Sequence, residues 1–226
     1  MNSPRRRIRS FVRREGRFTP GQRRAFDTLW PGYGIDPAPG FLDFDALFGR
    51  RAPRVLEIGF GNGDNLLHMA ACEPDTDFLG IEVYRPGVGR LFHHLRERDI
   101  RNVRVICDDA VAALQQRIPD ASLDKVLLFF PDPWPKKRHH KRRLVQTAFV
   151  ELVGKKLKPG GCFHVATDWE EYAEHVLALM AGAPGFLNLA GSARYAKRPP
   201  YRVCTKFEQR GQRLGHVIRD LLFRKT

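Results

Sequence analysis

The chain has 226 residues, 42% of them hydrophobic, enough for one substantial core and too apolar for wholesale disorder. Its 39 Lys and Arg against 25 Asp and Glu give a net charge of +14 and a pI near 10.2, which favours a polyanionic partner: RNA, DNA or an anionic membrane. No apolar run approaches the roughly 20 residues that cross a bilayer, and the N-terminus lacks the apolar segment of a secretory signal. Cys72, Cys107, Cys162 and Cys204 are far apart, which argues against a zinc ribbon or a disulfide scaffold and fits a reducing cytoplasm. His93-His94 and His139-His140 lack ligand spacing to cysteines or carboxylates, so a metal is not expected.

Residues 1–24 carry nine arginines and a single acid, Glu15. They have too little apolar surface to offset the entropy of ordering, and read as a mobile arm suited to phosphate contact. Residues 25–50, rich in Pro, Gly and aromatics, wrap onto one domain that occupies 25–226.

From Arg54 strands and helices alternate. A buried strand at 54–58 runs into Gly59, Gly61 and Gly63 and a helix at 64–72. Alternate glycines between a strand and a helix let backbone N–H groups approach a ligand. A strand at 77–82 ends in Glu82, where a ribose diol is held in nucleotide-binding folds, since carboxylate oxygens pair with hydroxyl donors. A helix at 87–98, a strand at 103–107 ending at Asp108-Asp109, and a helix at 110–117 follow. The strand at 125–130 is almost wholly apolar, as a central parallel strand should be. It stops at Pro131-Asp132-Pro133-Trp134-Pro135. A helix at 142–157 halts at Lys158-Pro159-Gly160-Gly161. A strand at 162–166 leads to Asp168 and a helix at 169–182, and two more strands lie near 186–189 and 216–223. The alternation predicts a three-layer α/β domain with a mostly parallel, seven-stranded sheet.

Ligands of such sheets bind outside the carboxyl ends of the strands. Glu57, Glu82, Asp109, Asp132 and Asp168 all fall there. An acidic rim on a basic protein suits a cationic, donor-rich cofactor such as S-adenosylmethionine. Each acid taken singly is equally a turn or helix-cap residue. Asp132, stiffened by the flanking prolines and beside Trp134, suits a flat, amine-bearing base. The run Lys136–Arg143, ordinarily a solvated face, lies close enough to that rim to guide a phosphate backbone. Thr205-Lys206-Phe207-Glu208 mixes groups that grip a nucleotide.

These segments (LEIGFGNG, FLGIEVYRPGVG, FFPDPWPKKRHHKRR, ATDWEEYAEH and TKFEQRGQRLGH) resemble the bacterial tRNA (guanine-N7-)-methyltransferase family, the TrmB type, from about residue 54 to the end. The resemblance implies a Rossmann-like class I S-adenosylmethionine-dependent methyltransferase that needs no metal. It implies methyl transfer to guanine N7 at position 46 of the tRNA variable loop, with tRNA and neither DNA nor membrane as partner, in a monomer or homodimer. It also implies that Glu57, Gly59, Gly61, Glu82, Asp109 and Asp132 face the cofactor, with Asp132 catalytic. Lys136, Asp168, Thr205, Lys206, Phe207 and Glu208 would face the substrate. Pro135 stands where family members can carry a polar residue. Three other readings compete: an NAD-dependent oxidoreductase using the same glycine loop, a non-catalytic RNA-binding module, and a methyltransferase acting on another RNA, a protein or a small molecule.

Overall fold

The computed structural model describes Ser10, Gly16 and residues 18–213 and 215–226, with the side chains of Lys206, Phe207 and Arg210 outside that set. Seven strands form one sheet: β1 (Arg54–Ile58), β2 (Asp77–Ile81), β3 (Val103–Ile106), β4 (Leu123–Phe129), β5 (Leu157–Thr167), β6 (Phe186–Asn188) and β7 (Arg219–Lys225). Their order is β3-β2-β1-β4-β5-β7-β6, with β7 antiparallel to both neighbours and the first five strands parallel. The chain steps outward from β1 to β3 and then returns to lay β4 on the other side of β1. That reversal opens a crevice at the carboxyl ends of β1 and β4.

The two-residue period of the strands divides the core. Leu56, Ile58, Leu79, Ile81, Val126 and Leu128 pack on one face, under α5 (Ala110–Gln116), α6 (Thr147–Lys156) and α7 (Glu170–Ala181). Val55, Phe78, Val103, Val105 and Leu127 pack on the other, under α1 (Pro20–Tyr33), α3 (Asp64–Cys72) and α4 (Arg85–Glu97). A short helix α2 (Phe44–Phe48) precedes β1, and α8 (Lys206–Arg213) precedes β7. Among the described residues no helix is long and apolar enough to cross a membrane.

The structure corrects three expectations. Residues 20–24, assigned to the arm, form the start of α1, capped by Thr19 in a reciprocal capping box with Gln22. The charge of Arg23 and Arg24 hides the apolar stripe of Ala25, Phe26 and Tyr33, which buries α1 against α4. Most of the remaining arm, residues 1–9, 11–15 and 17, lies outside the described residues. The helix expected over 142–157 begins only at Thr147, after a 3₁₀ turn at Lys137–Arg142. The Pro-Gly-Gly stop lies within β5, where the register with β4 shifts and Gly160 takes φ +79°. A β-bulge tolerates the missing N–H of Pro159.

The helix α4 must start close to the glycine loop, and Gly87 permits it: a Cβ there would sit 2.0 Å from the Gly61 carbonyl oxygen. Both atoms are backbone-bound, so neither swings away. Gly87→Ala should therefore lower stability by about 1–3 kcal/mol, as overpacking does; urea unfolding should show a lower midpoint at unchanged slope.

Candidate active site

Gly59, Gly61 and Gly63 have φ of 70°, 57° and 77°. A Cβ at Gly59 or Gly61 would meet nothing within 4 Å, so backbone conformation, not crowding, calls for glycine there. Glu82 holds the loop in place. One of its carboxylate oxygens accepts from Gly61 N at 2.7 Å; the other accepts from Val83 N at 2.7 Å and Tyr84 N at 2.9 Å. Glu57, buried at the penultimate position of β1 before the loop, accepts a hydrogen bond from Asn65 Nδ2 at 3.2 Å. Burial pushes the Glu57 carboxyl up to about 7; the Asn65 bond opposes that shift and the charge of Glu82 adds to it.

Two adjoining cavities open at this crevice. The first, about 360 Å³, is lined by Gly59, Glu82, Asp108, Phe130 and Asp132 among others. The second, about 300 Å³, is lined by Glu57, Gly61, Asn65, Arg202 and Thr205 and shares Gly59, Phe129 and Phe130 with the first. Each falls at the low end of the range for small-molecule sites. The structure thus brings together Glu57, Gly59, Gly61, Glu82 and Asp132. Asp109 is not among the lining residues. Its carboxylate caps α5 by accepting from Ala112 N at 2.9 Å, while the preceding Asp108 faces the cavity. Two adjacent acids at a strand end cannot be told apart by pattern alone; the cap hydrogen bond decides between them. Among the described residues no group of three His, Cys, Asp or Glu is placed to hold a metal.

The loop that carries Asp132 is fixed from both sides. Phe130 and Trp134 take φ of 51° and 46°, a left-handed backbone rarely adopted by bulky residues. Phe130 N donates to Ala166 O at 2.7 Å, and Trp134 Nε1 donates to Ser10 O at 3.0 Å. Arg143, the last residue of the basic run, is buried; its Nε donates to Pro133 O at 2.9 Å and its guanidinium pairs with Glu171 at 3.2 Å. Arg142 stacks over Trp134 at 4.9 Å. Lys136, Lys137, Arg138 and Lys141 are exposed. The run therefore divides into a structural end that supports the loop and a solvent-facing part beside the cavity.

The C-terminal segment is pinned by a buried charge network missed by sequence reasoning. Arg202 bonds Glu208 at 2.5 Å and Asp220 at 2.6 and 2.9 Å; Asp220 bonds His164 Nε2 at 2.8 Å, and Tyr201 meets His164 Nδ1 at 2.9 Å. Glu208, expected to face substrate, is buried here with its carboxylate committed to Arg202. Thr205 lines the second cavity, and its hydroxyl accepts from Glu208 N at 3.3 Å. The side chains of Lys206 and Phe207 lie outside the described residues. Asp168 lines neither of these two cavities and pairs with His216 at 2.9 Å. An arginine set between Tyr201 and Val203 was the available signal for the network; nothing local named its partners.

The family model described as "Putative methyltransferase" matches residues 51–221. A tRNA (guanine-N(7)-)-methyltransferase of Alcanivorax borkumensis is 57% identical over 97% of this chain and 92% of its own length. One of Sodalis glossinidius is 59% identical over 98% of this chain and 92% of its own. The chain belongs to the tRNA (guanine-N(7)-)-methyltransferase family. Among solved structures, the 16S rRNA methyltransferase KamB aligns with a TM-score of 0.60 at 15% identity, covering 86% of this chain and 98% of its own. TrmN from Thermus thermophilus gives 0.55 at 18% identity, covering 80% of this chain and 47% of its own. Both likenesses show the shared methyltransferase fold alone. The oxidoreductase reading of the glycine loop is not favoured by a family of this membership.

Two outcomes follow for the family member in hand. Arg202→Ala leaves Glu208 and Asp220 without their shared cation, so unfolding free energy should drop by about 3–5 kcal/mol; Arg202→Lys, which lacks the fork, should restore only part of it. Glu57 holds its proton more tightly when folded than when unfolded, so its ionisation costs stability as pH rises from about 4.5 through about 7. Glu57→Gln, which does not titrate, should therefore gain on the wild type between pH 5 and pH 8 in urea unfolding. A gap that stays constant across that range would contradict the burial argument.

Proposed function

We propose that this chain methylates N7 of guanine at position 46 in the tRNA variable loop, using S-adenosyl-L-methionine, in the cytoplasm. The observation that carries the reading is the position of Asp132. It stands at the carboxyl end of β4, at the strand-order reversal, in the same cavity as Glu82 and beside an exposed run of cations.

The residues present fit the donor. Gly59 and Gly61 keep the loop free of side chains where a ligand must approach, and Glu82, with about one acceptor site left beside its three backbone donors, offers it to a ribose hydroxyl. Glu57, buried beside the second cavity with a raised affinity for its proton, suits a neighbouring cation that would hold it ionised. Bound there, S-adenosylmethionine supplies an electrophilic methyl group on a sulfonium centre.

Guanine N7 has a lone pair and no hydrogen, so the transfer needs no general base to free the nucleophile. Asp132 instead accepts hydrogen bonds from the amine edge of the base, and its negative charge offsets the positive charge that grows on the purine. The rigid loop, held by Arg143 and by the left-handed residues on either side, keeps that carboxylate in place without reorganisation. Lys136, Lys137, Arg138 and Lys141 draw the phosphate backbone toward the cavity. Thr205, at the edge of the second cavity, and Asp168, at the end of β5, serve the RNA side, as do Lys206 and Phe207. Glu208 acts as the anchor of its segment.

Incubating the protein with labelled S-adenosylmethionine and unmodified tRNA should place the label on N7 of guanine 46, located by chemical cleavage at the methylated base. Label at another nucleotide or atom would overturn the reading. Asp132→Asn keeps the shape and removes the charge, and should lower the single-turnover rate by roughly 10²–10³-fold. A rate near wild type would refute the electrostatic role.

A further inference from the structure

The two polar ends of the Asn65 side chain join the donor site to the C-terminal segment. Asn65 lies in the first turn of α3 and is buried. Its Nδ2 donates to Glu57 Oε2 at 3.2 Å, and its Oδ1 accepts from Val203 N at 3.1 Å, across 138 positions of sequence. A backbone N–H can only donate, so Val203 fixes the carboxamide with its oxygen outward and its NH₂ toward Glu57. That NH₂ can only donate as well, so the bridge is tightest when Glu57 is an ionised acceptor. A cation held in the second cavity favours the ionised form. Glu57, Asp64, Asn65 and Arg202 line that cavity, and Glu82 acts on Glu57 through space. Arg202 cannot play the same part, because its guanidinium is committed to Glu208 and Asp220. Val203 leads directly into Thr205 and α8.

We propose that Asn65 is a positioning residue that couples occupancy of the methyl-donor site to docking of the Tyr201–Arg213 segment, and through it to tRNA affinity. The proposal rests on the tRNA-methylating reading of the same site. Donor-site ligands that carry an ammonium strengthen the Glu57–Asn65 bond; Asn65 in turn holds Val203; and the segment behind Val203 is presented to RNA in one arrangement instead of several. By linkage, tRNA must raise the affinity for the donor-site ligand by the same factor.

The test is the affinity of unmodified tRNA measured with and without saturating S-adenosylhomocysteine, which keeps the ammonium and has no methyl to transfer. Wild-type protein should bind tRNA about tenfold more tightly in its presence, within the usual span of coupling between sites. In Asn65→Ala the ratio should fall to within about twofold of one. Asn65→Leu, closer in volume, replaces it should the alanine variant fail to fold. A wild-type ratio of one overturns the proposal. So does a variant that loses affinity for both ligands in parallel while keeping the wild-type ratio, because that is the mark of a purely structural residue. Methylation of tRNA by the same wild-type preparation separates the two failures: activity with a ratio of one defeats the coupling alone, whereas a preparation that binds with coupling yet leaves guanine N7 unmodified defeats the functional reading.

Discussion

The carboxylate of Glu82 is the contact on which the rest of the rim depends. It gathers three backbone N–H groups, one from the glycine loop and two from the turn after its own strand. Those N–H groups lie at loop and helix-start positions where the regular ladder cannot satisfy them. By accepting them together, Glu82 ties the end of β1 to the end of β2 and sets the distance between the loop and α4. Gly87 and Gly61 approach so closely there that no side chain fits between them. On this side the cavity is bounded by the glycine loop and the start of α4, whose spacing is set by backbone contacts.

A second principle is visible in how this chain handles buried charge. Glu57 is buried beside the second cavity with a hydrogen bond from Asn65, and burial together with the charge of Glu82 raises its proton affinity. Arg202 has the opposite situation, with two carboxylates within ion-pair distance and nearly all solvent excluded. Replacing such a cluster by apolar residues is often neutral in other proteins, so its value here lies in geometry more than in stability. A guanidinium fork reads both the distance and the angle of its partners. It holds the start of α8 against β7 in one arrangement, and apolar contacts would allow several.

Asp132 shows strain and support placed side by side. Two bulky residues in the left-handed region flank its loop, each of which costs on the order of 1–3 kcal/mol. Buried Arg143 and the hydrogen bond from Trp134 to Ser10 hold the loop in that shape. A basic run that looks uniform along the chain thus contains one residue whose task is structural and several whose side chains reach solvent. The support comes from α7 through Glu171, so the loop is braced by an element nearly 40 positions away.

Read alone, the amino-acid sequence determined what depends on near neighbours. The strand at 54–58 and the helix at 64–72 fall where apolar period and glycine spacing put them. The acids at strand ends follow from the alternation of strand and helix, because parallel strands deliver all their carboxyl ends to one edge. Family membership was equally legible, in short motifs such as LEIGFGNG and FFPDPWPKKRHHKRR. Tertiary structure alone decided which of Asp108 and Asp109 faces the cavity, that Glu208 turns inward to Arg202, and that residues 20–24 belong to a helix. The last two depend on a partner supplied from elsewhere, a buried guanidinium and the apolar face of α4; the first turns on a cap N–H only three residues along, at the start of α5. Charge and hydropathy along a chain describe what a side chain can do; which of those things it does is set by the group that folding places opposite it.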